Sequence, residues 1–453
     1  MEIPLIDFDE RLRSGGSFGI PVSQFGVDPG YFEGTIMLRN LHQGGTAVDS
    51  AAIPFTVDLI ETEITSILTT ETSMGGYIDI AGEGFAAQGS ICGTTLFFEG
   101  LFEHASGGSD ALSMVLIPQV ESSSKLRYIV EENVDIGETI DLRKADGVLS
   151  GEIIPEVCCA SQCQQGLPMP ISVGIGPVKQ VVKLSFQDSY RAALARFGLA
   201  GAELKLQERM IDVINEIYQG INLEVRSDAV HDYALYSIVE IHGFDPNNLG
   251  LMGYDNTVGK DVGNLRLYDI IGGVNSHTQE DGYPGYGGVF LESYLGFSHH
   301  PPEGISSIDL ATDLFDEIFD PLRPDRGGVA VTAADIATIV PIDDPAVCLT
   351  QPTQRSLQIS CAVYVLGNIV GGTIAHELGH SMGLAEPGSM EIFHNLGDQS
   401  FRLMDSGGMR PFDERAGLSG SGIEVFCISN YQYLRSIMPD PAHDDPGTDR
   451  PGC

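Results

Sequence analysis

His376-Glu377-Leu378-Gly379-His380-Ser381-Met382-Gly383-Leu384-Ala385-Glu386 is the stretch on which the fold turns. On a helix, positions i and i+4 share a face, so His376 and His380 present their imidazoles to one point in space. Glu377 lies beside them, placed to hold a water molecule and take its proton. Gly383, three residues after the second histidine, lets the backbone turn left-handed and leave the helix abruptly.

Upstream, Ser356 to Ala375 carries no charge but includes Gln358, Asn368 and three glycines. A buried core helix running into His376 explains this stretch better than a bilayer span does. Downstream lies Leu403-Met404-Asp405-Ser406-Gly407-Gly408, a turn-forming run eighteen residues past Glu386.

Together these segments resemble the metzincin clan of zinc metallopeptidases, in particular its matrixin-like members. The clan's pattern is HExxHxxGxx followed by a third ligand, then a tight turn whose methionine lies beneath the metal. The resemblance covers roughly residues 175 to 440. It implies one catalytic zinc held by His376, His380 and a third ligand, with Met404 as the turn methionine. The clan usually places His, sometimes Asp, where this chain has Glu386. A carboxylate ligates zinc, but His394 lies in the same loop and imidazole is a common ligand. Glu386 by position and His394 by chemistry therefore remain alternatives. The implied reaction is peptide hydrolysis, with Glu377 accepting the proton of an activated water and passing it to the leaving amine. The clan's substrates lie extended along an edge strand, for which Gly288, Val289 and Phe290 are the candidates. Arg410, Pro411 and Phe412, after the turn, are candidate pocket walls.

Working outward, residues 175–438 read as a mixed α/β domain with a twisted sheet and the long active-site helix. Val178–Phe186, Leu235–Ile241 and Gly288–Phe297 pattern as strands. Ala202–Tyr218 patterns as an amphipathic helix with Leu206, Met210, Val213, Ile214 and Ile217 inward, and Asp309–Phe319 as a short one. Residues 243–288 form a long Gly/Asp/Asn-rich excursion. Its Asp255, Asn256, Asp261, Glu280 and Asp281 are hard oxygen donors that make calcium a second candidate ion. Residues 1–170 read as an all-β, sandwich-like or jelly-roll-like module with short alternating strands. The Pro/Asp-rich tail 439–453 reads as loose. The overall expectation is a multidomain α+β protein.

Composition sets the remaining bounds. The 453 residues carry a net charge of −39. Such acidity excludes a general nucleic-acid footprint and disfavours anionic membranes, and it biases a cleft toward basic substrates. With 42% hydrophobic and only 19% charged residues, the chain can bury a core. Eight cysteines, an even count in a loop-rich chain, point to disulfides and an oxidising compartment, with Cys348 and Cys361 placed to pair. The first residues show no secretory signal pattern. A secreted or cell-surface protein, its signal removed, is expected, and it is expected to be monomeric. The competing expectations are an extracellular adhesion or binding protein with a structural or inactive metal site, and a protease that mainly processes itself.

Overall fold

The computed structural model describes residues 30–41, 45, 47–87, 92–159, 162–274, 285–385, 392–443 and 447–453. Two compact units divide the chain, Met1–Gly176 and Pro177–Cys453. The architecture is α+β with several sheets.

The first unit is built on two long antiparallel neighbours, Cys92–His104 and Gly147–Cys159. Their sheet continues through Met169–Ile175 on one side and Ser109–Leu116 on the other. A second sheet runs Gln119–Ser122, Lys125–Ile129, Tyr77–Glu83, Glu63–Ile67. Alternation places Leu96, Phe98 and Phe102 on the buried face of one sheet and Ile78, Ile80, Leu126 and Tyr128 on that of the other. The described residues of this unit are mostly strand, with one helical turn at Ile136–Thr139. Cys158 and Cys163 form a disulfide across a tight strand pair. Their sulfurs are therefore not thiolates, and their grouping with Glu156 is not a metal site.

The second unit centres on a six-stranded mixed sheet. Its order is Leu223–Arg226, Gln180–Phe186, Ser237–His242, Gly288–Phe290 and Gly253–Tyr254, with Ile270–Ile271 also pairing Ser237–His242. All pairings are parallel except that of Gly253–Tyr254, which runs antiparallel along the edge. Helix Glu203–Ile217 buries the five apolar positions expected of it. It packs on the long helix Arg355–Ser381. Gly371 permits that approach, since a β-carbon there would lie 2.9 Å from Cβ of Val213. The long helix is long and apolar enough to cross a membrane, but 78% of its most apolar window is buried inside the protein. The disulfide Cys348–Cys361 fastens its first turns.

Three expectations change. The stretch expected as one strand from Gly288 to Phe297 is a strand only to Phe290, then tight helical turns over Leu291–Phe297. Consecutive buried residues, rather than alternating ones, leave helix and strand indistinguishable by period there. The short helix begins at Asp313, where Thr312 caps it by accepting from the Leu314 N–H. The tail, expected to be loose, is fastened by the disulfide Cys427–Cys453, by the Ile428 N–H on the Pro451 carbonyl (2.9 Å) and by Arg450 lying 3.8 Å over the Tyr431 ring.

Candidate metal centre

The long helix brings His376, Glu377 and His380 to one end of a cavity of about 810 Å³. Each histidine is fixed by its Nδ1. That of His376 lies 2.6 Å from the Leu403 carbonyl, and that of His380 lies 3.2 Å from the Leu384 carbonyl. A carbonyl only accepts, so both Nδ1 atoms carry the hydrogen and both Nε2 atoms are left with lone pairs. Those two Nε2 atoms face each other at 2.9 Å. Burial, with His380 acting on His376 and His394 acting on His380, pushes both imidazoles toward the neutral form, His376 well below the usual histidine range and His380 to about 3. Two converging lone pairs that resist protonation could hold a cation.

His394 completes it. Its ring centroid lies 5.4 Å from that of His376 and 5.0 Å from that of His380, and one nitrogen from each of the three rings falls within 4.8 Å of the others. The three histidines can hold a metal ion. The loop that delivers His394 is tied to the turn below it. The Asn395 N–H donates to the Met404 carbonyl (2.9 Å), and the Asn395 side chain donates to Asp405 (3.1 Å) and accepts from Asn430 (3.1 Å). Glu386, the positional alternative, lies outside the described residues.

Met404 is fully buried. Its Sδ packs where a side chain on Gly379, on the helical turn between the histidines, would otherwise sit. Gly383 ends the helix with φ +97°, and a β-carbon there would press on Val262 at 2.8 Å. Tyr433 locks this exit by donating to the Met382 carbonyl (2.8 Å) while accepting from the Gly263 N–H (2.8 Å).

Glu377 is buried, and burial pushes its carboxyl up to about 8 against the opposing pull of the Asp255 backbone N–H. That N–H follows directly on the edge strand Gly253–Tyr254. Gly253 itself touches the carboxyl group so closely that no β-carbon fits. The true sheet edge beside Glu377 is thus Gly253–Tyr254. Gly288, Val289 and Phe290, expected to be the edge, are an internal strand paired on both sides and fully buried. The correction comes from the excursion folding back to add an antiparallel strand outside them, in a segment that carries no strand pattern of its own.

The excursion supplies further residues not anticipated. Asp269 accepts from the hydroxyls of Ser381 (2.6 Å) and Thr257 (2.9 Å), and the Thr257 N–H donates to Asp255 (2.8 Å). This buried network braces the helix end next to His380. Burial holds both Asp255 and Asp269 above the usual carboxylate range. Asp255 uses Oδ1 on Thr257, and Asp261 accepts from the Arg266 N–H (2.7 Å). Among the described residues, no three His, Cys, Asp or Glu ligand atoms converge in the excursion. Glu280 and Asp281, expected with them as calcium ligands, lie outside the described residues. Of the expected pocket walls, Arg410 lines the cavity, whereas Phe412 packs against Phe297 and Phe315.

No protein-family model matches the chain, and no curated protein matches it.

Proposed function

We propose that the protein is a zinc-dependent endopeptidase of metzincin type. The observation that carries this reading is the pair of neutral imidazole nitrogens converging at 2.9 Å with His394 beside them and a buried carboxylate, Glu377, one residue from the first histidine. Three imidazoles suit a borderline ion such as zinc and leave a coordination position open, the pattern of catalytic rather than structural sites. A binding-only protein has no need of the buried Glu377.

His376, His380 and His394 would hold the ion. When bound, it supplies Lewis acidity that activates water and polarises a carbonyl. Glu377 accepts the water proton at its free carboxylate oxygen and returns it to the departing nitrogen. The Asp255 N–H orients that carboxylate, and a neighbouring cation would bring its raised pKa down into the working range of a base. Gly253–Tyr254, the outer strand, offers backbone groups to an extended peptide beside Glu377. The disulfides are compatible with work outside the cell.

The test is zinc content and hydrolysis of an unstructured protein such as casein, wild type against Glu377→Gln. One zinc in each protein with cleavage only by the wild type is expected. Equal cleavage by both would sink the mechanism, and no zinc in either would sink the reading.

A further inference from the structure

The cavity that opens at the metal centre continues along the long helix, past Gly372 and Ile369 to Asn368. From His376 to Asn368 is eight residues, about 12 Å of helix. Gly372 lies one turn before His376, and a β-carbon there would meet nothing within 4 Å, so the channel starts directly beside the site. Ile217, Phe297, Ile308 and Ile423 give it apolar walls.

One lining group is out of keeping with those walls. Arg415 enters beside Gly407, to whose carbonyl its Nη2 donates (2.5 Å). Its Nε is buried without a hydrogen-bond partner. Among the described residues, no carboxylate forms an ion pair with its guanidinium. Nearby carboxylates are engaged elsewhere. Glu424 binds Arg410 through Oε2 (2.5 Å), and Glu414 accepts from the Phe401 N–H (2.8 Å) and lies 3.6 Å from Arg410. Asp405 serves Arg402 (3.0 Å), and Asp255 serves Thr257. Of the other carboxyl groups in the lining, Asp309 is solvent-exposed and Glu377 belongs to the candidate metal centre. Desolvation pulls the Arg415 guanidinium below its ordinary pKa against the through-space attraction of Glu424, although arginine stays charged. A part-buried cation in no direct ion pair keeps donors free for a ligand, and a guanidinium matches a carboxylate in a two-pronged bond.

We infer that this cavity receives a substrate carboxylate, with Arg415 as the specificity-determining residue. The inference rests on the peptidase reading and narrows its substrates to peptides with an acidic side chain next to the cleaved bond, or with a terminal carboxylate reaching the same place. It runs against the expectation from net charge, because −39 is spread over the chain whereas Arg415 lines this pocket without a direct ion pair.

The test uses zinc-loaded protein and two peptidyl hydroxamates that differ only in a side-chain carboxylate or its amide. Wild type should bind the carboxylate form about 10-fold or more tighter. Arg415→Gln should bring that ratio to about one, and Arg415→Lys should restore part of it, which a merely structural role would not do. Equal binding of the two by wild type, a preference for a basic analogue, or a ratio unchanged in Arg415→Gln would each overturn the inference. A digest of a peptide library then separates the sources: Asp or Glu enriched beside internal cuts marks a side chain, and cuts confined to free C-termini mark the terminal carboxylate. Hydroxamate preference without any peptide cleavage would refute the peptidase reading and support the pocket. Cleavage without either preference would do the reverse.

Discussion

A β-carbon on Gly379 would lie 2.6 Å from Sδ of Met404, so the glycine is the space that the thioether fills. The same turn receives the Nδ1 hydrogen of His376 on the Leu403 carbonyl. Helix and turn are thus fitted as one floor under the three histidines. Gly379→Ala should destabilise the Pro177–Cys453 unit by about 1–3 kcal/mol through overpacking and weaken metal binding. In a Met404→Ala background the same substitution should cost less, because the clashing atom is gone. Denaturant unfolding of the four proteins in a double-mutant cycle measures the coupling. Additive effects would show that the two residues do not share this space.

His394 and its tether should matter more to the metal than Glu386. His394→Ala is expected to lose stoichiometric zinc and Glu386→Gln to retain it. Asn395→Ala, which releases the loop from Asp405 and Asn430, should weaken binding about 10-fold. Metal content after dialysis against a weak chelator distinguishes them. Retention of zinc by His394→Ala would remove that residue from the ligand set.

The histidine pair, Glu377 and the helix that carries them were legible because their spacing is local and periodic. Leu206 through Ile217 were legible for the same reason. That His394 joins the pair was not, because its position depends on tethers from Asn395 to Met404, Asp405 and Asn430. The edge strand was missed because Gly253–Tyr254 is two residues long and has no alternation; it exists only by pairing with Gly288–Phe290. Asp269 and Ser381 lie 112 positions apart, and nothing local to either marks them as partners. Arg415 was passed over since only the surrounding carboxylates' commitments make it unusual.

Glu377→Gln keeps the shape and the acceptor for the Asp255 N–H but cannot take a proton. Peptide hydrolysis should fall by about 10²–10⁴-fold, with zinc content and melting temperature close to wild type. Steady-state kinetics on a fluorogenic peptide checks this. A loss that tracks loss of zinc would assign Glu377 to metal retention instead of proton transfer.

Gly253 is the point where the edge strand meets Glu377, the proposed general base. A methyl group there has no room, since it would overlap the Glu377 carboxyl and sit 2.6 Å from Cγ2 of Thr373. Gly253→Ala should push the strand outward, break the Asp255 N–H bond to Glu377, and lower kcat/KM by about 10-fold or more. Because the histidines lie across the helix end, zinc affinity should change far less. Wild-type kinetics in Gly253→Ala would mean that the strand does not orient Glu377.

The titrating groups at the centre pull stability in opposite directions in the metal-free protein. His380 falls from 6.5 to about 3, and His376 is also lowered. Between those values the unfolded chain binds protons that the fold refuses. Their stabilisation is therefore present above about pH 6.5 and lost as pH falls, at about 1.4 kcal/mol per pH unit per group. Glu377 rises from 4.5 to about 8. Its contribution is complete below about pH 4.5 and is lost as pH rises toward 8. In the folded, metal-free protein His380 is neutral above about pH 3 and His376 is lowered likewise, so between pH 5 and pH 8 a divalent cation displaces no proton from this pair; it favours the ionised carboxyl of Glu377 and relieves the penalty there. The gain in melting temperature on adding zinc to chelator-treated protein should therefore grow from pH 5 to pH 8, and Glu377→Gln should flatten that rise. Thermal melts with and without zinc across this range give the comparison. A wild-type gain that is constant or shrinks with pH would show that the ion does not engage Glu377.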